Sequence, residues 1–414
     1  MKIVAIIAEY NPFHKGHQYQ IEQAKKLTNA DYIVVVMSGN YVQRGTPAIL
    51  HKYARTEMAL SHGVDVVFEL PVSYATASAE YFAFGAVSLL EQLGAIDYLC
   101  FGSECGDITS LTQIADFLLE EPAEYQHLLK LYQKDGLTFP EARTKAICKS
   151  LHKEQENVDN IKNILSSPNN ILGIEYIKAI KRCGGKMIPI TVKREGAAYH
   201  SENIAEPFAS ATAIRKQLIN KEMDLSIVLS DLPLSTNRLL TKHLDKSSPI
   251  TEDDFSTLLY YQLVQHSHEL AKYFDVSSDL ANRIQNLLTP TLSFSSFAER
   301  LKTKQMTQTR INRALLHILL GITSKAMKDN MKEQVVYARI LGFQSSSSQV
   351  LRQLKVVSPI PIITKVADAK KQLSPRAYAM LCQEISATHL YHQVIYSKYK
   401  TLLNSEFTMG PIRI

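Results

Sequence analysis

The run Ile3-Val4-Ala5-Ile6-Ile7-Ala8 near the start of the chain constrains the fold most, because six consecutive apolar residues need cover on both faces. Such a run is typical of a parallel strand inside an α/β sheet. The following segment, residues 9–13, contains Asn11-Pro12, which ends the strand. A helix is predicted over about residues 16–28. The chain therefore begins with a strand–loop–helix unit whose loop follows the carboxyl end of a buried strand.

The predicted helix starts at the sequence His14-Lys15-Gly16-His17. Residues three and four apart lie on one face of a helix, so both histidines share a stripe with Ile21 and Ala24. We expect this stripe to pack on the sheet and the histidines to face the crevice beyond the strand ends, where open α/β sheets bind ligands. The N–H groups and positive dipole end of a helix start also suit a phosphate. The pattern predicts a nucleotide site, and its alternative is a pair of ordinary surface or core histidines.

Composition limits the class of protein. The 414 residues predict two to three domains, and 45% hydrophobic with 21% charged residues is typical of a soluble globular protein. No apolar run reaches the roughly 18 residues of a membrane span, and no secretory signal is evident. The five cysteines form no Cys-x-x-Cys pair, which indicates reduced thiols and neither a zinc site nor a disulfide framework. We expect a cytoplasmic protein with no membrane contact and no evident protein partner.

Charge is distributed unevenly along the chain. The net charge is +6, but residues 296–414 hold 18 Lys and Arg against 6 Asp and Glu, a net of +12, and the rest of the chain carries −6. A basic C-terminal third on an acidic body favours a polyanionic partner. The alternative is a basic surface that is merely solvated.

The order of predicted elements indicates two regions. Strands alternate with helices up to about residue 223, which implies right-handed crossovers and a parallel sheet. Beyond residue 224 the strand signal fades and helices dominate. We expect an α/β protein with a Rossmann-like domain and a parallel sheet over residues 1–223, followed by a mainly α-helical basic region over residues 224–414.

The predicted strands are Ile3–Ala8, Tyr32–Met37, Val64–Leu70, Tyr98–Phe101 and Met187–Val192, with a further short strand at 362–364. The predicted helices are Gly16–Thr28, Lys52–Ser61, Thr76–Leu93, Ile108–Leu119, Glu141–Lys149, Asn170–Arg182, Ala211–Leu218, Asp254–His268, Leu280–Leu288 and Ser296–Ile322.

Several loops after predicted strands carry residues suited to a nucleotide. Arg44, in the loop 38–47, can clamp an anion, and Gly102 lets a ring or a ribose lie against the main chain. Lys193-Arg194 follows the last strand of the first region, at the same edge as the histidines. Each also has an ordinary explanation as a surface arginine, a strand-ending glycine or a solvated pair.

Two predicted helix starts are further candidates. Asn169 or Asn170 is either a ligand contact or the helix N-cap. Ser210 and Thr212 place hydroxyls at a helix N-terminus, with Arg215 one turn later, which suits the β- and γ-phosphates. Simple capping is the alternative there as well.

Together these segments resemble the HxGH nucleotidyltransferase superfamily, whose later ISSTxxR motif reads Ala209-Ser210-Ala211-Thr212-Ala213-Ile214-Arg215 here, with Ala211 in place of one hydroxyl. They are most similar to the bacterial tRNA(Met) cytidine acetate ligases. The segments that carry the closer resemblance are 9–17, 36–40, 43–45, 54–56, 101–104, 168–173, 210–216 and 301–304 with 309–310. They cover nearly the whole chain.

The resemblance implies that ATP activates acetate as acetyladenylate, and that the acetyl group then passes to N4 of the wobble cytidine of elongator tRNA(Met). ATP is expected as its Mg complex; no protein ligand for the metal is identifiable, and there is no sign of an acetyl-CoA site. The implied ATP-binding residues are Ile7, Ala8, Glu9, Tyr10, Asn11, Pro12, Phe13, His14, Lys15, Gly16, His17, Gln18, Tyr19, Gln20, Gly102, Asn169 and Arg194.

The implied chemistry suits the residue types. When an acetate oxygen attacks the α-phosphate, charge builds on its non-bridging oxygens, and the catalytic residues His14 and His17 can donate hydrogen bonds to them. Acetate is already a nucleophile, so this half-reaction needs no general base. A basic helix surface bearing Lys302, Lys304, Arg310 and Arg313 is expected to hold tRNA phosphates.

Two other functions share parts of this pattern. A small-molecule adenylyltransferase of the HxGH class needs the histidines but not a basic C-terminal third. A non-catalytic RNA-binding protein with a relict nucleotide fold needs the basic surface but not the histidines.

Overall fold

The computed structural model describes residues 1–150, 155–194, 210–220, 229–230 and 232–414, and only the helical backbone of 155–158. The strands are β1 (Ile3–Ala8), β2 (Tyr32–Ser38), β3 (Tyr41–Val42), β4 (Thr46–Pro47), β5 (Val66–Leu70), β6 (Tyr98–Ser103), β7 (Ile188–Lys193), β8 (Ala338–Phe343), β9 (Ile362–Ile363) and β10 (Ile412–Arg413). All lie in one eight-stranded sheet except β3 and β4, which form a small antiparallel ribbon.

Helices of the described first half are α1 (Lys15–Thr28), α2 (Lys52–Leu60), α3 (Val72–Ala75), α4 (Ala79–Gln92), α5 (Ile108–Glu120), α6 (Ala123–Lys134), α7 (Phe139–Ser150), α8 (Gln155–Ser166), α9 (Pro168–Arg182) and α10 (Ala211–Ile219). Those of the second half are α11 (Leu234–His243), α12 (Ser256–Gln265), α13 (Ser278–Leu287), α14 (Phe294–Leu301), α15 (Gln308–Leu320), α16 (Ser324–Asn330), α17 (Ser348–Val357), α18 (Ala369–Gln372) and α19 (Pro375–Tyr399).

Strand order places a ligand crevice beside β1. The parallel part of the sheet runs β5-β2-β1-β6-β7, so the chain moves outward in one direction from β1 to β5 and in the other from β6 to β7. The loops after β1 and β6 therefore leave to opposite faces of the sheet, and a crevice opens between them at the carboxyl ends of the strands. The first histidine motif follows β1 directly.

Helices cover both faces of the sheet, as the apolar first strand requires. Ile3 and Ala5 pack in a core with α4, α5 and α9 on one face. Val4 and Ile6 pack on the other face in a core that includes residues of α1 and α2. A third core, built mainly from α12 to α15 and α19, holds the helical part of the second half together.

The expected α/β class is confirmed, but the sheet is mostly parallel rather than wholly so. Strand β8 pairs antiparallel with β5, and β9 and β10 pair parallel with β8. Of these three strands, only β9 was expected from the sequence. The region after residue 224 thus extends the first region's sheet, and the division at residues 223 and 224 stays a prediction, since residues 221–228 lie outside the described part.

Two helix predictions were wrong in extent. The expected helix 76–93 begins at Ala79, after the separate turn of α3. The expected helix 296–322 is two helices, α14 and α15, because the chain turns between them with a bridge from Thr303 to Met306. Lys302 and Lys304 lie in this connection and not on a helix surface. The helices of the structure that were not among those predicted are α3, α6, α8, α11, α16, α17, α18 and α19.

Candidate active site

The two histidines of the first motif cap helix α1 together. His14 is the N-cap residue, and its Nδ1 accepts a hydrogen bond from the backbone N–H of Gly16 at 3.1 Å. His17, one turn later, accepts from the backbone N–H of His14 through Nδ1 at 3.3 Å. This reciprocal arrangement is a capping box in which imidazoles replace the usual hydroxyl and carboxylate. The first and fourth residues of the segment His14-Lys15-Gly16-His17 thus fix the geometry of the first helical turn.

The imidazoles are neutral at physiological pH. Their rings stack with centroids 3.8 Å apart, and both line the crevice. Burial, with the positive charges of Arg194 and Arg215, lowers the pKa of His14 to about 3. Burial and the neighbouring His14 and Arg194 hold the pKa of His17 well below its ordinary value.

Neutrality and capping together define the tautomer of each ring. Because Nδ1 of His14 and Nδ1 of His17 both accept backbone hydrogen bonds, the single ring proton of each must lie on Nε2. Each ring therefore presents one Nε2–H donor. Two parallel neutral donors at a helix N-terminus can bind phosphate oxygens without transferring a proton.

The crevice brings together most of the residues that the sequence indicated. Its lining comprises Ile7, Ala8, Glu9, Tyr10, Asn11, His14, His17, Gln20, Gln43, Arg44, Phe82, Phe101, Gly102, Asn169, Leu172, Tyr176, Arg194, Ser210, Ala211, Thr212 and Arg215. They come from the carboxyl ends of β1 and β6, the loops after β1 and β7, the loop between β3 and β4, and helices α1, α4, α9 and α10. At Gly102 a Cβ would lie 3.3 Å from the Arg194 side chain, so the glycine leaves room for that side chain beside the strand. Ala209 lies outside the described residues.

Six residues of the expected ATP-binding segment do not line the crevice: Pro12, Phe13, Lys15, Gly16, Gln18 and Tyr19. Phe13 is fully buried in the core on the α1 face. The Lys15 ammonium donates a hydrogen bond to the carbonyl oxygen of Ser230 at 2.7 Å. These side chains position the loop, while their neighbours face the ligand space.

A buried arginine holds the loops after β1 and β2 in place. The Arg55 guanidinium is fully buried and donates to the carbonyl oxygens of Leu50 at 3.0 Å, Glu9 at 2.5 Å and Ser38 at 3.1 Å, and also to that of Gly39. The Glu9 carboxylate in turn accepts from the backbone N–H of Gln43 at 2.9 Å. Arg55 thus ties the first strand's loop to the second strand's loop from below the crevice.

Helices α9 and α10 supply the far wall. Ser167, and neither Asn169 nor Asn170, is the N-cap residue of α9, so the capping interpretation of the two asparagines is wrong. Asn169 lines the crevice, and Asn170 is buried beneath it. Ser210 caps α10 by accepting from the Ala213 N–H at 3.1 Å. Arg215 donates to the Asn11 carbonyl oxygen at 2.8 Å, which connects α10 to the loop after β1.

Some lining residues carried no local signal in the sequence. Phe82 reaches the crevice from α4, far along the chain from any motif. Leu172 and Tyr176 were only apolar helix positions, but they follow Asn169 by three and seven residues and so share its face of α9. That spacing could have identified both once Asn169 was chosen.

The candidate tRNA-binding residues differ in their surroundings. Lys302, Lys304 and Arg310 are exposed. Arg313 is mostly buried, and its Nε donates to the Asp275 carboxylate at 3.0 Å. An arginine already paired in this way is a structural residue of α15, so the first three side chains are the better candidates.

Among the residues that the structure describes, no group of three or more His, Cys, Asp or Glu side chains is placed to hold a metal ion. The same residues contain no helix long and apolar enough to cross a membrane. All five cysteines have free thiols.

The sheet is mostly parallel, and a helix capped by two histidines follows its first strand. A basic crevice lies at the point where the strand order reverses. These features define a nucleotide-binding protein of the HxGH nucleotidyltransferase class. The model of the family described as HIGH Nucleotidyl Transferase matches residues 1–406. Two solved structures of Thermotoga maritima TmcAL, one bound with alpha-thio ATP and one apo, are 32% identical and match with TM-scores of 0.91 and 0.93. Both matches extend over all of this chain and over at least 99% of the Thermotoga maritima chain.

Curated relatives narrow the class further. A tRNA(Met) cytidine acetate ligase of Thermoanaerobacter sp. is 43% identical over 94% of this chain and 95% of its own length. One of Acetivibrio thermocellus is 41% identical over the full length of both chains. The chain belongs to the tRNA(Met) cytidine acetate ligase family, within the HIGH nucleotidyltransferases. These matches confirm two predictions made from the sequence: the family, and an enzyme that uses ATP.

Proposed function

We propose that this chain joins acetate to tRNA in two steps, forming acetyladenylate from acetate and ATP and then N4-acetylcytidine at the wobble position of elongator tRNA(Met). The observation that carries the proposal is full-length identity of 40% or more to tRNA(Met) cytidine acetate ligases together with a crevice lined by the residues of the shared motifs. ATP enters as its Mg complex, acetyl-CoA takes no part, and the reaction takes place in the cytoplasm.

In the first step an acetate oxygen forms a bond to the α-phosphorus of ATP, and the bond to the bridging oxygen of pyrophosphate breaks. The Nε2–H groups of His14 and His17 donate to the non-bridging α-phosphate oxygens, whose charge grows in the transition state. Arg194, Arg215, Ser210 and Thr212 are assigned to the remaining phosphates, since all line the same crevice.

In the second step the exocyclic N4 of cytidine attacks the acetyl carbonyl carbon, AMP leaves with the oxygen of the broken anhydride bond, and N4 loses a proton. The target base must reach the crevice, and an anticodon loop offers unstacked bases that can do so. Exposed Lys302, Lys304 and Arg310 are assigned to tRNA phosphates outside the crevice.

The reaction is tested by incubating the protein with labelled acetate, ATP and elongator tRNA(Met), followed by nucleoside analysis. Label is expected in N4-acetylcytidine, and pyrophosphate exchange into ATP is expected to depend on acetate. Exchange that requires a phosphorylated cofactor precursor instead of acetate would identify a small-molecule adenylyltransferase. The variants His14→Ala and His17→Ala test the site: full tRNA acetylation by both would contradict the catalytic assignment.

The tRNA surface is tested separately. The double variant Lys302→Glu with Arg310→Glu is expected to weaken tRNA binding and to flatten its salt dependence by roughly two units of slope, one per lost phosphate contact. Acetate-dependent exchange should persist. A matched control is Lys130→Glu with Lys134→Glu, the same charge change on the exposed face of α6. Equal loss of binding in both double variants, or loss of exchange in the first, would refute a separate tRNA surface.

A further inference from the structure

A reciprocal set of hydrogen bonds joins the loop after β6 to the start of α9. Glu104 Oε1 accepts from the backbone N–H and from the Nδ2 of Asn169, at 3.3 and 2.7 Å. Its Oε2 accepts from the backbone N–H of Asn170 at 2.9 Å. In return, Asn170 Oδ1 accepts from the backbone N–H groups of Glu104 at 2.9 Å and Cys105 at 3.2 Å. Each segment therefore fixes the other.

This carboxylate takes the place of a missing helix cap. Ser167 occupies the N-cap position of α9 but makes no side-chain cap hydrogen bond. The first N–H groups of a helix have no intrahelical acceptor and lie at the positive end of its dipole. Glu104 satisfies two of them from a different element, which makes the position of the α9 start depend on the loop after β6.

The same carboxylate also determines which way the Asn169 amide is turned. An ionised carboxylate only accepts hydrogen bonds, so the atom of Asn169 that faces Glu104 at 2.7 Å must be the NH₂ group. Oδ1 then points to the other side. Within the described part of the chain no donor is bonded to Oδ1, and Asn169 lines the crevice. The crevice thus contains a carbonyl oxygen with a fixed orientation and an unfilled lone pair.

The surroundings of Asn169 fit the nucleoside end of a nucleotide. Leu172 and Tyr176 share the Asn169 face of α9, and the Phe101 ring lies 5.6 Å from the Tyr176 ring, so apolar side chains of the lining accompany Asn169. A bound adenosine offers donors only at its 6-amino group and its ribose hydroxyls, because the unsubstituted ring nitrogens of the base are acceptors. Once a bound nucleotide covers the Asn169 Oδ1, an acceptor placed against it instead of a donor costs about 1–3 kcal/mol.

We propose that Glu104 is a positioning residue that sets the hydrogen-bond polarity of Asn169, so that the crevice selects nucleotides with a donor group at this point. The proposal rests on the proposed use of ATP and names the shared chemistry, a nucleoside N–H or O–H donor. Replacing Glu104 with Gln places an NH₂ group among three N–H donors. The new amide is best satisfied when Asn169 turns over and presents its own NH₂ to the crevice.

The test compares ATP with ITP, 2′-deoxy-ATP and 3′-deoxy-ATP in acetate-dependent pyrophosphate exchange, with kcat and KM measured for each. The unaltered protein is expected to prefer ATP over one of the three analogues by about tenfold or more, which identifies the donor. Glu104→Gln should lower that one preference at least several-fold through KM, with little change in kcat for ATP. Glu104→Gln with Asn169→Asp should restore it, because an aspartate presents an acceptor on both sides.

A matched control is Glu175→Gln, which removes a buried carboxylate from α9, the helix that carries Asn169. The Glu175 carboxylate lies 3.3 Å from Arg143 and 2.8 Å from Lys178. Glu175→Gln should leave all nucleotide preferences unchanged. Asn169→Ala removes the acceptor and one of the five hydrogen bonds between the two segments, but keeps the four that have backbone N–H donors. It should abolish the preference and serves if Glu104→Gln folds poorly. Equal effects of Glu104→Gln on all four nucleotides would overturn the proposal and would mean that the hydrogen bonds between Glu104 and the start of α9 are purely structural.

Failure of the proposed function would look different. If the unaltered protein binds ATP but shows no acetate-dependent exchange, the acetate ligase activity is wrong, and the same preferences measured as Kd ratios by calorimetry still decide the role of Glu104.

Discussion

At the scale of single residues, Arg55 connects the loops that follow two neighbouring strands of the sheet. Its buried guanidinium spans the carbonyl oxygens at the ends of two neighbouring strands, where the sheet's own hydrogen bonds stop. Burial lowers its pKa to about 10, so it remains charged at neutral pH. Five fixed donors of a planar group make this possible, and the compact ammonium group of lysine cannot reproduce them.

We therefore expect Arg55→Lys to destabilise the protein by about 2–4 kcal/mol, since several buried carbonyl groups lose their donors. ATP binding should weaken as well, because the loop containing Glu9 is no longer held. Denaturant unfolding and calorimetric titration with ATP measure the two effects. Arg352→Lys, at an exposed site of α17, is the control and should change neither. A stability loss below 1 kcal/mol in Arg55→Lys would contradict this role.

The neutral histidine cap predicts how stability depends on pH. Because the pKa of His14 is about 3 in the folded chain and about 6.5 when unfolded, protons bind the unfolded chain preferentially between these values. Stability is complete above pH 6.5 and falls as pH decreases towards 3. Between pH 7 and 5 the loss from one such histidine is up to about 2 kcal/mol.

His14→Asn keeps a neutral cap and should reduce this loss. Urea unfolding at pH 7 and pH 5 measures the difference, and His127→Asn, at an exposed site of α6, provides the control. An unchanged pH slope in His14→Asn would mean that His14 does not titrate as its burial implies.

At the scale of elements, the loop between β3 and β4 connects the crevice to the second half of the chain. Gly45 has a φ of +77°, and a Cβ there would lie 2.3 Å from the backbone nitrogen of Arg313 in α15. The loop that places Gln43 and Arg44 in the crevice is thus packed directly against the helix that starts beside the exposed basic residues. No other residue type fits this contact.

We expect Gly45→Ala to cost about 1–2 kcal/mol from the left-handed backbone alone and more from the clash. It should also lower tRNA acetylation, because relief of the clash must move Arg44 or α15. Gly136→Ala is a matched control: it has a φ of +84° with nothing within 4 Å of the added Cβ. Thermal unfolding and tRNA acetylation rates are measured for both variants. Equal losses of stability would show that the contact between residue 45 and the Arg313 backbone relaxes without cost, which would contradict this prediction.

Elements whose residues carry their own pattern could be predicted, and elements that depend on distant partners could not. Strand β1 matches its prediction residue for residue, and α1 begins within one residue of it, because apolar periodicity and a cap are local. Strand β8 was missed because its apolar run is interrupted by Arg339 and Gly342 and because it acquires its strand conformation by pairing with β5 about 270 positions earlier. The motifs that line the crevice could be predicted because each is a local pattern of residues, as β1 is. Phe82 and Arg55 take their roles from contacts with distant parts of the chain, so only the folded structure reveals them.

At the scale of the whole molecule, a buried network of charges connects the two halves. Lys52 Nζ lies 2.7 Å from Glu69 and 2.9 Å from Glu406, and Arg339 lies 2.9 Å from Glu69 and 2.5 Å from Glu406. Glu384 is also buried there, and burial with the nearby Glu69 raises its pKa well above the ordinary value. Two cations, two anions and one neutral acid give no net charge.

This balance predicts opposite outcomes for two similar substitutions. Although burial alone would raise it, Lys52 and Arg339 lower the pKa of Glu406 to about 2, so Glu406→Gln leaves two buried cations with one anion and should cost about 3–5 kcal/mol. Glu384→Gln replaces a neutral acid and should cost less than about 1 kcal/mol. Denaturant unfolding at pH 7 measures both. Equal losses would show that Glu384 is charged.

The network and β10 also bear on how the chain folds as it is made. Lys52 and Glu69 leave the ribosome more than 300 residues before Glu406, and β8 can pair with β10 only after that. An emerging N-terminal half therefore carries an open sheet edge and a Lys52–Glu69 ion pair that Arg339 and Glu406 have not yet joined. The parallel sheet therefore forms before its β5 edge is covered, so a nascent chain of this kind should depend on chaperones until β8 and β10 have been synthesised.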